Sequence, residues 1–284
     1  MPACVALLAD RPGAAAAALA ISLLLLGSGS ADAQSPAAAS RADVESPVVP
    51  VHHEPHHRQV FQYGRTRVLD LQLPPGDVSW FHSPEWPVLY MTLGQSPIRN
   101  QNLGSEWSGG NRPARAAGGN LPAGDAGRSG PAGDTPPARR VPRATSATGY
   151  IERPSTHRIE NVGEGLFRAM VVVNESAGND ATTVEEAGFD SEPELANAWF
   201  RSYRVSLAAG ETTAAHEHTT PVVIFQATEG RGRAEGPMSF EFNEPGQWAF
   251  YDAGTGHTIV NTGEAPLEWL EIEVRHAPPS APQP

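Results

Sequence analysis

Leu267-Glu-Trp-Leu-Glu-Ile-Glu-Val274 alternates apolar and acidic residues with a period of two. That period belongs to a half-buried β-strand, because successive side chains on a strand point to opposite faces. Working outward, similar short runs precede it at Phe200–Leu207, Pro221–Ala227, Ser239–Phe242, Gln247–Tyr251 and Thr258–Asn261, and earlier at Val60–Tyr63, Arg67–Leu73 and Val88–Leu93. Gly, Pro, Asn and Asp punctuate them, and the 28 Gly and 27 Pro of this 284-residue chain favour turns over long helices. No stretch carries a long amphipathic helical period. The fold class is all-β.

The strands fall into two matching series. Arg67-Val-Leu-Asp-Leu-Gln-Leu-Pro-Pro-Gly76 lies over Tyr203-Arg-Val-Ser-Leu-Ala-Ala-Gly210, and His82 precedes His216 by the same 134 residues (216 − 82) that separate Gly76 from Gly210. Further on, His157-Arg-Ile-Glu-Asn161-Val-Gly-Glu164 lies over His257-Thr-Ile-Val-Asn261-Thr-Gly-Glu264 at an offset of 100 (257 − 157). The first series therefore carries an insertion. It falls in residues 103–148, a Gly-, Pro-, Ala- and Arg-rich stretch too poor in apolar residues to offset its ordering entropy. The expected organisation is a lead-in over 34–59, a first barrel over 60–174 with a disordered insertion at 103–148, a linker over 175–199, a second barrel over 200–275 and a loose tail over 276–284.

Residues 1–33 read as an export signal. Arg11 supplies the charge, Ala14–Leu26 the apolar run, and Ala31-Asp32-Ala33 a small-residue cleavage site. The expectation is a periplasmic or secreted protein with no membrane span, since about 20 apolar residues are needed to cross a bilayer. Cys4, the single cysteine, lies inside this segment, so the exported chain would contain no disulfide and no thiolate ligand. A formal net charge of −12 argues against a nucleic-acid partner.

Histidine carries the chemistry. In Gly210-(x5)-His216-Glu217-His218 the two imidazoles are two residues apart, so on an extended chain both reach one face while Glu217 projects away. Gly246-(x5)-Asp252-Ala253-Gly254-(x2)-His257-(x3)-Asn261 supplies a tight turn and a third imidazole. Three neutral imidazoles suit Zn, Fe, Cu or Ni and leave positions open for water or substrate. A second concentration, His52-His53-Glu54-Pro55-His56-His57, is either a Zn- or Cu-binding tract or a polar lead-in whose histidines touch nothing, and Pro55 near the start of the chain favours the latter.

The two histidine segments together resemble the paired motifs of the cupin superfamily. The first of these is Gly, five residues, His-x-His, then a Glu and a Gly; the second is Gly, five residues, Pro-x-Gly, two residues, His, three residues, Asn. Gly210, His216, His218, Gly230, Gly246, Gly254, His257 and Asn261 match. The match covers Phe200–Arg275, and a degraded copy covers about Val60–Asn174, so the chain resembles a bicupin, two jelly-roll barrels in tandem. Two departures stand out. Val222 and Val223 fall where the family's metal-binding Glu belongs, and Asp252 replaces its Pro. In the first copy Pro84 stands opposite His218, and Val88 lies in the Glu region. That copy is expected to be structural. Trp80, Phe81 and Trp86 either line a ligand pocket in it or simply fill the barrel.

The resemblance implies one divalent metal, Fe(II) foremost and Mn, Ni or Zn next, on His216, His218 and His257 without a carboxylate. It implies dioxygenase-like or isomerase-like chemistry on a small organic substrate, the former put first, and argues against chemistry resembling oxalate decarboxylase, which needs the Glu. Whether the chain is an enzyme stays open. The alternative is a non-catalytic cupin that binds a sugar or another small molecule. A third reading gives the Arg-bearing insertion an interaction role. Tyr251 and Gln226 are the residues near the expected barrel lining that could assist chemistry, no acid or base being assigned, and either a monomer or a homodimer fits.

Overall fold

The computed structural model describes residues 46–110, 142–179 and 192–276. The export signal, residues 111–141 of the insertion, residues 180–191 of the linker and the tail from 277 lie outside them. The described residues form eighteen strands, one 3₁₀ turn at Val51–His53 and no α-helix. No helix among them is long and apolar enough to cross a membrane.

Four sheets make two barrels. In the N-terminal barrel, β1 (Val48–Pro50), β4 (Phe81–Ser83), β9 (His157–Asn161), β6 (Ile98–Asn102) and β7 (Ser108–Gly109) form one sheet in that order. The facing sheet runs β2 (His57–Tyr63), β3 (Thr66–Leu73), β10 (Phe167–Asn174), β5 (Val88–Gln95), β8 (Ala144–Ala147). In the C-terminal barrel the order is β11 (Leu195–Ala196), β12 (Phe200–Leu207), β18 (Leu267–Val274), β13 (Val222–Gln226), β16 (Trp248–Tyr251). Its facing sheet is β15 (Phe240–Phe242), β14 (Gly232–Glu235), β17 (Thr258–Asn261). Three expectations change at their edges. Strands β7 and β8 lie inside the stretch expected to be a disordered insertion, β11 lies inside the linker, and the lead-in supplies β1 and the start of β2.

The internal repeat is built in three dimensions. Val171 pairs with Leu69 as Glu271 pairs with Tyr203, and His82 bridges His157 as His216 bridges His257. Asn161 donates to the carbonyls of Leu73 and Gly165, and Asn261 donates to those of Leu207 and Ala265. Each Asn side chain thus pins the turn before the last strand to the end of the first. Gly76 and Gly210 take positive φ, 78° and 73°, at equivalent turns, a conformation that costs glycine least.

Three apolar cores follow. Leu69, Leu71, Ile159 and Val171 fill the N-terminal barrel, and Ile224, Phe242, Ile259 and Trp269 the C-terminal one. The third lies between the barrels, where Leu89, Met91, Met170 and Val172 meet Phe200, Phe225, Leu270 and Ile272. Strand β18 is therefore buried on both faces. Its even-numbered face joins the interbarrel core, and its odd-numbered face puts Leu267, Trp269, Glu271 and Glu273 in its own barrel. The half-buried strand expected from its alternation is in fact buried at every residue but Glu268, with two acids inside.

Candidate metal centre

His216 and His218 sit on an extended segment before β13, and His257 opens β17. The backbone of His216 exchanges two hydrogen bonds with that of His257, at 3.1 and 2.8 Å. The His218 carbonyl accepts from the N–H of Gly254 at 2.7 Å, tying that segment to the Asp252-Ala-Gly turn. Asp252 serves the turn as its sequence suggests, its carboxylate accepting from the Ala253 N–H. Glu217 is exposed, on the opposite side from its two neighbours.

The three imidazoles converge, and a carboxylate absent from the sequence reading joins them. Glu271 Oε2 lies 3.1 Å from His216 Nε2, 2.9 Å from His218 Nε2 and 3.2 Å from His257 Nε2. One ligand atom from each of the four buried residues lies within 4.8 Å of every other. The three-His site without a carboxylate is thereby corrected to three His and one Glu. Val222 and Val223 do occupy the expected carboxylate region, but the acid comes from the neighbouring strand: Ile224 of β13 pairs with Glu271, and Val222 with Glu273. The signal available in the sequence was the pair of Glu residues on the same strand face as Leu267 and Trp269.

Ring orientation is fixed from behind. His216 Nδ1 donates to the Ala214 carbonyl at 2.9 Å, His257 Nδ1 to the Thr255 carbonyl at 3.4 Å, and His218 Nδ1 to Glu273 Oε1 at 3.0 Å. Carbonyl and carboxylate oxygens only accept, so each ring keeps its proton on Nδ1 and, when neutral, points a bare Nε2 lone pair inward. Arg201, buried beside Glu273, holds that carboxylate through a 3.0 Å contact. Burial alone would push Glu271 up, but its bonds to His216, His218 and His257 outweigh it and hold the carboxyl well below the usual range. Burial likewise opposes charge on His218, yet Glu271 and then Glu273 raise it to about 9. His216 is raised by Glu271 against the same opposition.

Three inward lone pairs and a carboxylate oxygen repel one another unless cations or protons stand between them. Charging all three rings would put three positive charges against one buried carboxylate at the centre. A single divalent cation meets all four donors. Metal–ligand distances near 2.0–2.2 Å give ligand–ligand edges of about 3 Å, the separation found here between Glu271 Oε2 and each imidazole. Glu271 Oε1, buried and without a hydrogen-bond partner, completes the fit as an acceptor with room for a second bond. The donor set suits a divalent transition metal.

The remaining sequence candidates divide. Tyr251 lies against the centre, its ring stacked on His257 with centroids 4.7 Å apart and its hydroxyl donating to the Met238 carbonyl. Burial, then Glu235 and Glu271, lift its pKa to about 12 and keep it a phenol. Gln226 does not reach the centre: it pairs with Trp269, one layer away, and its amide donates to the carbonyls of Thr228 and Gly230. In the N-terminal barrel, Trp80 and Trp86 are 40% and 37% exposed and neither fill the barrel nor line the cavity inside it. Phe81 faces away from His82, under the Arg158 guanidinium at 4.6 Å. The His52–His57 tract is not loose either. Glu54 is buried and accepts from the N–H groups of His56, His57 and Trp80 and from Nδ1 of both histidines.

No protein-family model matches the chain, and no curated protein matches it. Similar solved structures are distant. AerE from Microcystis aeruginosa is 12% identical, with 75% of this chain and 90% of that one covered and a TM-score of 0.49. A cupin 2 conserved barrel domain protein from Leptotrichia buccalis is 12% identical over 76% of this chain and 87% of its own, TM-score 0.42. Oxalate decarboxylase from Bacillus subtilis, described with Mn(II) centres, is 11% identical over 76% and 70%, TM-score 0.43. The reading of the centre rests on its own four side chains.

Proposed function

We propose that the chain is an exported bicupin whose C-terminal barrel binds one divalent metal through His216, His218, His257 and Glu271 and transforms a small organic substrate. One observation carries this: three imidazoles, each with Nδ1 against a fixed oxygen acceptor, aim Nε2 at a single carboxylate oxygen. The bound ion would supply Lewis-acid or redox character at a position shielded from water. The chain's own part is to orient the donors. Glu273 and Arg201 fix His218, the strand-like exchange fixes His216 against His257, and Tyr251 braces His257 from the side while staying protonated.

Fe(II) and Mn suit a site of three imidazoles and one carboxylate, and Zn and Ni fit the same donors. With Glu271 in the set, the argument that lack of a carboxylate excludes decarboxylase-like chemistry falls away, and dioxygenase-like chemistry remains the proposed class. The test is elemental analysis of the full chain and of Glu271→Gln and His218→Ala. One equivalent of metal in the parent, lost in both variants, is the expected result; equal metal in all three overturns the centre. Oxygen uptake with thiols, phenols and diketones then separates an oxygenase from a binder, because a binder retains metal without turnover. Export is checked by the mature N-terminus, expected at Gln34.

A further inference from the structure

The N-terminal barrel holds a cavity of about 60 Å³ that is open at its mouth. At its wall two side chains differ between the barrels. In the C-terminal barrel Trp269 packs on Gly232, where a Cβ would come within 2.2 Å of the indole. At the equivalent positions the N-terminal barrel has Ala169 and Ile98, and both line the cavity. Ile98 takes back much of the space that the missing indole releases, and what stays open lies beside Ala169. Two metal donors and the support of one are missing too: Val171 stands for Glu271, Pro84 for His218 and Val173 for Glu273. Among the described residues the one group able to hold a metal is in the other barrel.

The cavity nonetheless has hydrogen-bond acceptors. His57, His82 and His157 line it, with ring centroids of His57 and His157 each 4.5 Å from His82. His82 Nδ1 donates to the Trp80 carbonyl at 3.0 Å, and His57 Nδ1 to Glu54 at 2.7 Å. Each leaves Nε2 as the ring nitrogen available to a ligand, and in the neutral ring that nitrogen accepts. Burial pushes His82 well down and His157 to about 4, with His57 adding to both, so these two rings stay neutral at pH 7. No Arg lines the cavity, and His57 is already paired with the Glu54 carboxylate behind it, so an anion gains little there. The walls are otherwise apolar, with Leu71, Val88 and Phe167 among them.

We propose that the N-terminal barrel is a second, metal-free binding site for a small uncharged molecule with an apolar body and a hydroxyl group that donates to the imidazole row, a compound of the phenol class. The proposal does not depend on the metal centre. The probe is 4-methylphenol, titrated calorimetrically into the full chain before and after chelation, beside toluene and 4-methylbenzoate. One 4-methylphenol should bind per chain regardless of chelation, with both comparison compounds about tenfold weaker or worse, the value of one hydrogen bond. Ala169→Leu, and separately the Ile98→Gly/Ala169→Trp pair that copies the other barrel, should abolish binding while metal content is unchanged. Toluene binding as tightly as the phenol overturns the proposal. So does affinity that survives both cavity-filling variants, affinity that vanishes on chelation, or no heat at millimolar probe.

Discussion

Glu273 illustrates how one side chain can govern a centre it does not enter. It accepts the Nδ1 proton of His218 and is itself held by Arg201. Glu273→Gln keeps the shape but presents a weaker partner to His218, so metal affinity should fall about 10- to 100-fold, the usual cost of losing such support. Competition with a chelator measures it, and unchanged affinity would mean that backbone alone orients the ring. In the other barrel, His157 and His82 give a pH dependence. Burial holds both below the ordinary histidine value of 6.5, His157 at about 4. Above pH 6.5 folded and unfolded chains are both neutral there and nothing is lost. As pH falls from 6.5 toward 4 the unfolded chain takes up protons that the folded one refuses, so stability declines. His157→Phe should remove on the order of 2 kcal/mol of the loss between pH 7 and pH 5. Denaturant unfolding of both proteins at the two pH values checks it, the C-terminal histidines being common to each.

At the scale of elements, strands β10 and β18 are the same piece of architecture with different contents. Both run eight residues, both are buried on two faces, and they differ where chemistry is placed: Val171 and Val173 against Glu271 and Glu273. This is why the sequence reading was uneven. Strands β12 and β17 are legible to the residue, as are the three histidines of the centre, because fixed spacing and turn glycines mark them. Strand β10 has an apolar run with no period to read, and Glu271 alternates with apolar residues as a surface acid would. His57 is legible even less, since its partners His82 and His157 are brought to it by pairing across the whole barrel. Close packing of elements gives its own test. Gly232 of β14 lies so near Trp269 that a methyl group must displace the indole. Gly232→Ala should cost about 1–3 kcal/mol through overpacking, a drop of roughly 2–12 °C in Tm by the scaling for chains of this size. At Gly149, where nothing lies within 4 Å of an added Cβ, the same change should leave Tm nearly unmoved.

For the molecule as a whole, the interbarrel core sets the unit of folding. Sheets from both barrels contribute to one cluster in which Leu89, Met91 and Met170 meet Phe200, Phe225 and Ile272, all buried. The rim is closed by Phe61 against Trp248 and Phe250, with centroids 5.0 and 4.8 Å apart, and by the Tyr63 hydroxyl donating to Asp252 at 3.0 Å. Neither barrel can keep this face dry alone, because the sheet that carries its interior residues carries the interface residues on its other side. Unfolding should therefore be a single transition in which both barrels melt together. Phe225→Ala, made in the C-terminal barrel at 0% exposure, should lower the stability of both by about 3–5 kcal/mol. The measurement is hydrogen exchange at β3 and β10 of the untouched barrel. Faster exchange there, matching that in β13 and β18, is expected; acceleration confined to the C-terminal barrel would mean that two independent domains merely touch. The same physics predicts that residues 192–276 expressed alone bury Phe200, Phe225 and Ile272 against a second copy, so that the fragment sediments as a dimer or larger rather than as a monomer.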